Sequence, residues 1–200
     1  MKESLKAVAS ISLFLVLNLT CYSQQHDVAG WEQYRWGMSN EDIGRTADPR
    51  LTKLTKSEKF LGMHVDYVVP QYQIKGEVFT VYFQIDDNTG ELTQILIRLK
   101  EQKSKAPREE IFYGVELLLA RQYGEPLDKI DERRTSTDKF KFMDLTRVWR
   151  FPTTTIELAY GWDNQIDDSL LTIRYFPTKT SSDRPRTRAW SGLAISGLLW

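Results

Sequence analysis

Residues 77–100, EVFTVYFQIDDNTGELTQILIRLK, decide the fold. Apolar and polar side chains alternate on both arms of this stretch, with Phe79, Val81, Phe83 and Ile85 on the first arm and Ile95, Ile97 and Leu99 on the second. A period of two is typical of a strand with one buried face. The intervening residues 86–90, DDNTG, tolerate the positive φ of a tight connection. The stretch therefore predicts an antiparallel hairpin with one face in the core.

Similar patterns continue on either side of this hairpin. Strands are expected over 60–74, 127–134, 141–151, 154–160 and 170–176. Met63, Val65, Tyr67 and Val69 are assigned to one face of the first of these strands, where Pro70 indicates an edge strand or a bulge. The acidic stretch 161–168, GWDNQIDD, predicts a second hairpin connection.

Two helices are predicted from their end signals. Ser39 is a good N-cap with Asp42 at the third helical position, and Pro49 keeps that helix short. A longer helix is expected between Pro107 and Gly124, since proline suits the first turn and glycine suits the position after the end. Its apolar face is assigned to four residues at spacings of three and four: Ile111, Val115, Leu118 and Leu119.

The predicted fold class is α+β, a twisted antiparallel sheet with two helices packed on one face. Both halves follow the order of helix, strand and hairpin, and both hairpins have an acidic loop. The return arms are also similar, IRL at 97–99 and IRY at 173–175. The sequence therefore predicts a single domain spanning 24–180. Within it, we consider the hypothesis that a helix-strand-hairpin unit is duplicated.

The first 23 residues are typical of a secretory signal peptide. Lys2 and Lys6 precede an apolar segment over 7–19, and small or polar residues surround Ser23. The protein is therefore expected to be exported, either periplasmic or secreted. Cys21, the single cysteine, would anchor it to a membrane if it were lipidated, although Asn18 and Thr20 depart from the lipoprotein cleavage pattern.

The C-terminal region 181–200 is set apart by its composition. Residues 181–188 are polar and basic, which predicts a flexible linker, and 189–200 form an apolar tail. Twelve residues are too few to span a bilayer. The tail could dock on the domain, remain disordered, or contact a membrane surface or a partner.

The charge balance argues against nucleic acid as a partner. The chain has 27 basic and 27 acidic residues, for a formal net charge of zero. Binding to phosphate backbones needs a clear basic excess.

A search for reactive groups gives no catalytic, cofactor or metal site. The two histidines, His26 and His64, have no cysteine or histidine partners at zinc-binding spacing. The loop at 86–91 fails the EF-hand pattern, since its glycine comes at the fifth position and isoleucine at the twelfth. No nucleophile elbow or phosphate-binding loop is present in the sequence. Glu157, a lone acid on a predicted strand, is assigned to the solvent face.

Basic and aromatic residues alternate on two of the predicted strands. This set comprises Arg147, Trp149, Arg150, Arg174 and Tyr175. Such residues on a sheet can bind a carbohydrate, a lipid headgroup or an acidic peptide. They can equally serve cross-strand ion pairs and cation–π packing.

The helix-end motifs WGMS at 36–39 and YGEP at 123–126 resemble those of a loosely defined group of small exported bacterial proteins of unassigned function. The helix-then-sheet order resembles the β-lactamase inhibitor protein and the small lipoprotein of the outer-membrane barrel assembly machinery. The resemblance implies a helix-on-sheet fold and transfers no activity or site residue.

Three functional hypotheses follow. The first is an exported, non-catalytic module that binds an envelope protein or another component of the cell envelope. The second is a cell-wall or glycan hydrolase that uses dispersed carboxylates, which would show two facing acids with at least one raised pKa. The third is a membrane-surface protein that attaches through the C-terminal tail.

Overall fold

The computed structural model describes residues 27–100, 107–137, 140–164 and 168–179. The predicted signal peptide, Cys21, His26, the linker and the apolar tail lie outside these residues and stay predictions.

The described residues form an antiparallel sheet of eight strands, a two-stranded hairpin and two helices. The elements in chain order are β1 Gly30–Trp31, β2 Tyr34–Arg35, α1 Asn40–Gly44, β3 Thr52–Phe60, β4 Met63–Ile74, β5 Glu77–Asp86, β6 Leu92–Leu99, α2 Glu109–Tyr123, β7 Asp128–Thr137, β8 Phe140–Arg150, β9 Thr154–Asp163 and β10 Asp168–Pro177. The antiparallel sheet and the presence of two helices, both predicted from the sequence, are thereby confirmed.

The large sheet consists of two four-stranded meanders. Its spatial order is β3-β4-β5-β6-β10-β9-β8-β7, so each meander runs from an edge of the sheet to the centre. The meanders meet where β6 pairs with β10, and there Ile97 lies opposite Ile173. Strands that follow one another within a meander pair antiparallel, which keeps neighbours in sequence adjacent in space.

Local signals explain both helices. The Ser39 hydroxyl accepts a hydrogen bond from the Asp42 backbone, while the Asp42 carboxylate accepts one from the Ser39 backbone, so the predicted capping box is present. In α2, Ile111, Phe112, Val115 and Leu119 are buried. Gly124 follows this helix with a φ of 82°, a left-handed value that glycine adopts without strain.

One continuous apolar core joins these elements. The Phe112 ring of α2 lies 6.3 Å from the Tyr160 ring of β9, and Tyr34 of β2 lies 4.3 Å from Phe83 of β5. The Tyr160 hydroxyl accepts a hydrogen bond of 2.7 Å from the Arg108 backbone, which fixes the start of α2 over the sheet. The end of α2 is fixed in the same way, since the Trp149 indole donates to the Gly124 carbonyl at 2.7 Å.

Three details differ from the sequence prediction. The strand predicted over 60–74 is the end of β3, a tight turn and β4, because the polar residues of β3 gave no alternating signal. Register shifts in β4 move residues between faces, so the four residues assigned to one face do not share it; the shift beside Pro70 agrees with the bulge predicted there. Leu118 is 40% exposed, and Phe112 takes its place on the buried face of α2.

No helix among the described residues is long and apolar enough to cross a membrane.

Candidate binding face

Alternation along the strands gives the sheet two distinct faces. The core face carries the large buried side chains, among them Phe79, Ile97, Leu158 and Tyr175. The buried residues of the β1–β2 hairpin, α1 and α2 all belong to this same cluster. We call the opposite side of the sheet the open face.

The open face has a continuous row of half-buried side chains across its centre. Following the register from β5 to β8, the row comprises Tyr82, Leu96, Arg174, Glu157 and Val148. A second row beside it comprises Thr80, Arg98, Thr172, Ala159 and Thr146. Apolar, aromatic and charged groups are therefore mixed on one broad surface, a composition common in protein interfaces.

The five residues singled out from the sequence do not lie together. Arg147, Trp149 and Tyr175 point to the core face and are buried. Arg150 and Arg174 lie on the open face, because they occupy alternate positions on their strands. The structure thus separates three residues that are buried in the core from two that are partly exposed on the open face.

Arg147 serves the internal structure of the protein. Only 3% of its surface is exposed. Its guanidinium donates to Glu116 of α2 at 2.7 Å and to Asp131 of β7 at 2.6 Å, and it lies 5.1 Å from the centre of the Phe112 ring. It also donates to two backbone carbonyls. A buried cation needs several partners to offset its lost hydration. Because the partners of Arg147 lie on α2 and on the strands β7 and β8, this side chain links the helix to the sheet.

On the open face, the arginines are paired but partly exposed. Arg174 forms an ion pair with Glu157 on the neighbouring strand. Arg150 lies 3.8 Å from Asp128. Partly exposed ion pairs of this kind contribute little stability.

One carboxylate of the open face, that of Asp144, lies beside Glu132 and Glu157 and near the cation Arg134. Burial raises the pKa of Asp144, and the nearby charges of Glu132 and Glu157 raise it further. The Thr146 hydroxyl donates a hydrogen bond of 3.4 Å to this carboxylate. Sequence alone does not indicate this environment, because Asp144 becomes unusual only once β7 and β9 lie beside it.

Both edges of the sheet are charged. The edge strand β3 carries Lys53, Lys56 and Lys59, and its pairing with β4 is irregular between Lys53 and Glu58. The edge strand β7 has the sequence DKIDERRTST, in which basic and acidic residues alternate in short runs. Lysines and bulges at an edge hinder the addition of another strand. Recognition by strand addition is therefore disfavoured, and the faces and loops are the better candidates.

His64 is held in a polar network at one end of the sheet. Its Nδ1 lies 2.6 Å from Asp87, and its Nε2 lies 3.2 Å from the Asn40 amide nitrogen. The Asn40 amide also donates to Asp66 at 2.6 Å. Asp66, Asn40, His64 and Asp87 therefore form one chain of polar contacts. The Asp87 contact was missed from sequence, since the two residues are 23 positions apart.

The described residues contain no group of three or more histidine, cysteine, aspartate or glutamate side chains arranged to hold a metal ion. Comparison of the chain with protein-family models, curated proteins and solved structures finds no match.

Proposed function

We propose that this chain is an exported, non-catalytic binding module whose open face binds a protein of the cell envelope. The observation that carries the proposal is the broad, half-buried open face, with Tyr82 and Leu96 beside the Arg174–Glu157 ion pair. Interfaces are enriched in aromatic residues and arginine, and this row supplies both.

The two-meander architecture supports this use of the sheet. In our proposal, the chain is a duplicated unit in which each half supplies one helix and four strands, with both helices packed on the core face. Joining the halves through β6 and β10 doubles the width of the platform. A recognition site at the centre would then draw side chains from both halves.

The fate of the charged groups also supports binding over catalysis. Glu157 is neutralised by Arg174, and Glu132 accepts from Arg134 at 2.8 Å. Both carboxylates already have an arginine as partner, and ion pairs of this kind on a sheet suit the polar part of an interface.

Blocking the open face tests the proposal. Ala159 is half-buried in the second row, so Ala159→Arg would place a long cation there without opening a cavity. Leu117→Arg is the matched control, because Leu117 is 50% exposed on the outside of α2.

Each variant of the full chain would be immobilised and exposed to envelope extract, with circular dichroism to confirm folding. We expect a discrete protein to be retained by the wild type and by the Leu117 variant, and to be lost with the Ala159 variant. Equal retention by all three would count against the open face.

A specific observation favours one alternative, the glycan hydrolase. Asp144 has a raised pKa and lies opposite Glu132 in the strand register, so two acids are neighbours on this face. If this pair is catalytic, Asp144→Asn should abolish the release of soluble fragments from purified cell wall, while Asp163→Asn should leave that release unchanged. An absence of activity in the wild-type chain would remove the alternative.

A further inference from the structure

The turn between β3 and β4 carries the most exposed large apolar side chain of the described residues. Leu61 is 100% exposed, whereas its neighbour Phe60 is half-buried on the open face, 6.1 Å from the Tyr82 ring. Leu61 is therefore a fully exposed apolar side chain next in sequence to the Phe60–Tyr82 contact of the open face.

This turn is held firmly in place. Gly62 has a φ of 72°, and its carbonyl accepts a hydrogen bond of 3.0 Å from the Asp87 backbone. The Asp87 carboxylate in turn contacts His64 at 2.6 Å and Lys59 at 3.4 Å, on the two strands that flank the turn. A side chain presented on a fixed turn loses little conformational freedom on binding.

The groups around Leu61 carry more negative than positive charge. Asp86 ends β5 and Asp87 begins the adjoining β5–β6 loop, and Lys59 is the cation paired to Asp87. Backbone N–H groups of Thr89 and Asn88 lower the pKa of Asp86, and the hydrogen bond to His64 lowers the pKa of Asp87. Both carboxylates are therefore ionised at neutral pH.

We propose that this turn anchors the open face to its partner, with Leu61 entering an apolar socket on a protein and the loop carboxylates meeting basic groups at the rim of that socket. This proposal rests on the proposed function, since it assigns the partner's chemistry to the same face. The acidic loop disfavours an anionic lipid surface as the occupant, because like charges would meet there.

Site-specific photo-cross-linking tests the anchor. Benzoylphenylalanine would replace Leu61 in the full chain, and separately Thr172 at the centre of the open face. Leu127, a leucine that is 63% exposed at the far edge of the sheet, provides the control position. We expect the probes at Leu61 and Thr172 to cross-link the same protein in envelope extract, and the probe at Leu127 not to do so.

Competition by unlabelled chains then measures the contribution of Leu61. Removing a fully buried leucine contact should make Leu61→Ser a competitor weaker than wild type by about tenfold to a hundredfold. Leu127→Ser should compete as well as wild type. Higher ionic strength should weaken cross-linking at Leu61 if basic groups line the socket.

The outcomes separate the two proposals. If the Thr172 probe captures a protein and the Leu61 probe does not, or if Leu61→Ser competes fully, the anchor is wrong and open-face binding stands. If neither probe captures a protein, both proposals fail. Flotation of the chain with vesicles of phosphatidylethanolamine and phosphatidylglycerol is the last comparison. If the wild type floats and Leu61→Ser does not, Leu61 binds a lipid surface and the proposed protein socket is wrong.

Discussion

The two faces of the sheet treat charged side chains in opposite ways. On the core side, Asp48 accepts hydrogen bonds from Arg50, Tyr34 and Gln33, and Arg147 has two carboxylates and two carbonyls. On the open face, Asp144 has a hydroxyl at 3.4 Å and a raised pKa. The charged forms of Asp48 and Arg147 are therefore stabilised by their surroundings. The surroundings of Asp144, in contrast, disfavour its ionised form.

This difference indicates where function and stability lie. A fold gains no stability from a carboxylate whose ionised form is disfavoured by burial and by neighbouring acids, and such groups occur often at functional sites. A buried, fully partnered arginine has a sufficient structural explanation. The open face is therefore the better place to look for function, and the following substitutions test that division.

Loss of Arg147 should have the largest effect. Arg147→Met removes the partner of Glu116 and Asp131 and leaves Glu116 largely buried without its closest cation. Breaking a buried ion pair in this way costs about 3–5 kcal/mol. Urea denaturation of the full chain would measure the change in the free energy of unfolding.

The double variant Arg147→Met with Glu116→Gln is the control for this substitution. It should recover part of the loss, because an uncharged amide is cheaper to bury than a lone carboxylate. A loss below about 1 kcal/mol in the single variant would mean that Arg147 is no more than a surface ion pair.

Asp48→Asn should have the next largest effect, about 1.5–3 kcal/mol, the usual contribution of hydrogen bonds to a charged group. The hydrogen bond from Arg50 holds the pKa of Asp48 below its ordinary value. Stability from this carboxylate is therefore present above the unfolded-state pKa of about 4 and is lost as the pH falls through the folded-state value. The difference in unfolding free energy between wild type and variant should shrink as the pH falls below about 4. A difference that stays constant with pH would show that the Asp48–Arg50 ion pair is not its cause.

Much of the fold follows from local sequence, and the exceptions have physical causes. The β5–β6 hairpin, the capping box at Ser39 and the end of α2 at Gly124 depend on neighbours in the chain, and all three are present as predicted. The edge strand β3 was missed because polar side chains dominate both of its faces. The hairpin β1–β2 is only four strand residues, too short for any periodicity to show.

The candidate site was predicted less well, because it depends on pairing between distant strands. Arginines and aromatics were grouped as one set although Arg147 and Arg150 point to opposite faces, a distinction that strict alternation along β8 would have given. Asp144 and the His64–Asp87 contact could not be found this way, since each requires the strand register.

The same substitution on the open face sharpens the comparison. Arg174→Met removes the partner of Glu157, but both side chains are partly exposed, so water can replace the lost ion pair. We expect a loss of at most about 1 kcal/mol in urea denaturation. A loss as large as that of Arg147→Met would show that the open face is as important for stability as the core.

Asp144→Asn should have the smallest effect and the opposite sign. Burial and neighbouring acids raise the pKa of Asp144 in the folded protein, so the unfolded chain ionises more readily. Wild-type stability should then fall as the pH rises from about 4 through the folded-state value, and the asparagine variant should lack this part of the decline. The variant is therefore expected to be slightly more stable at neutral pH and equal to wild type in acid. Thermal melts of both chains across this range measure the difference, and a variant that is less stable at neutral pH would show that the Asp144 carboxylate has a stabilising partner.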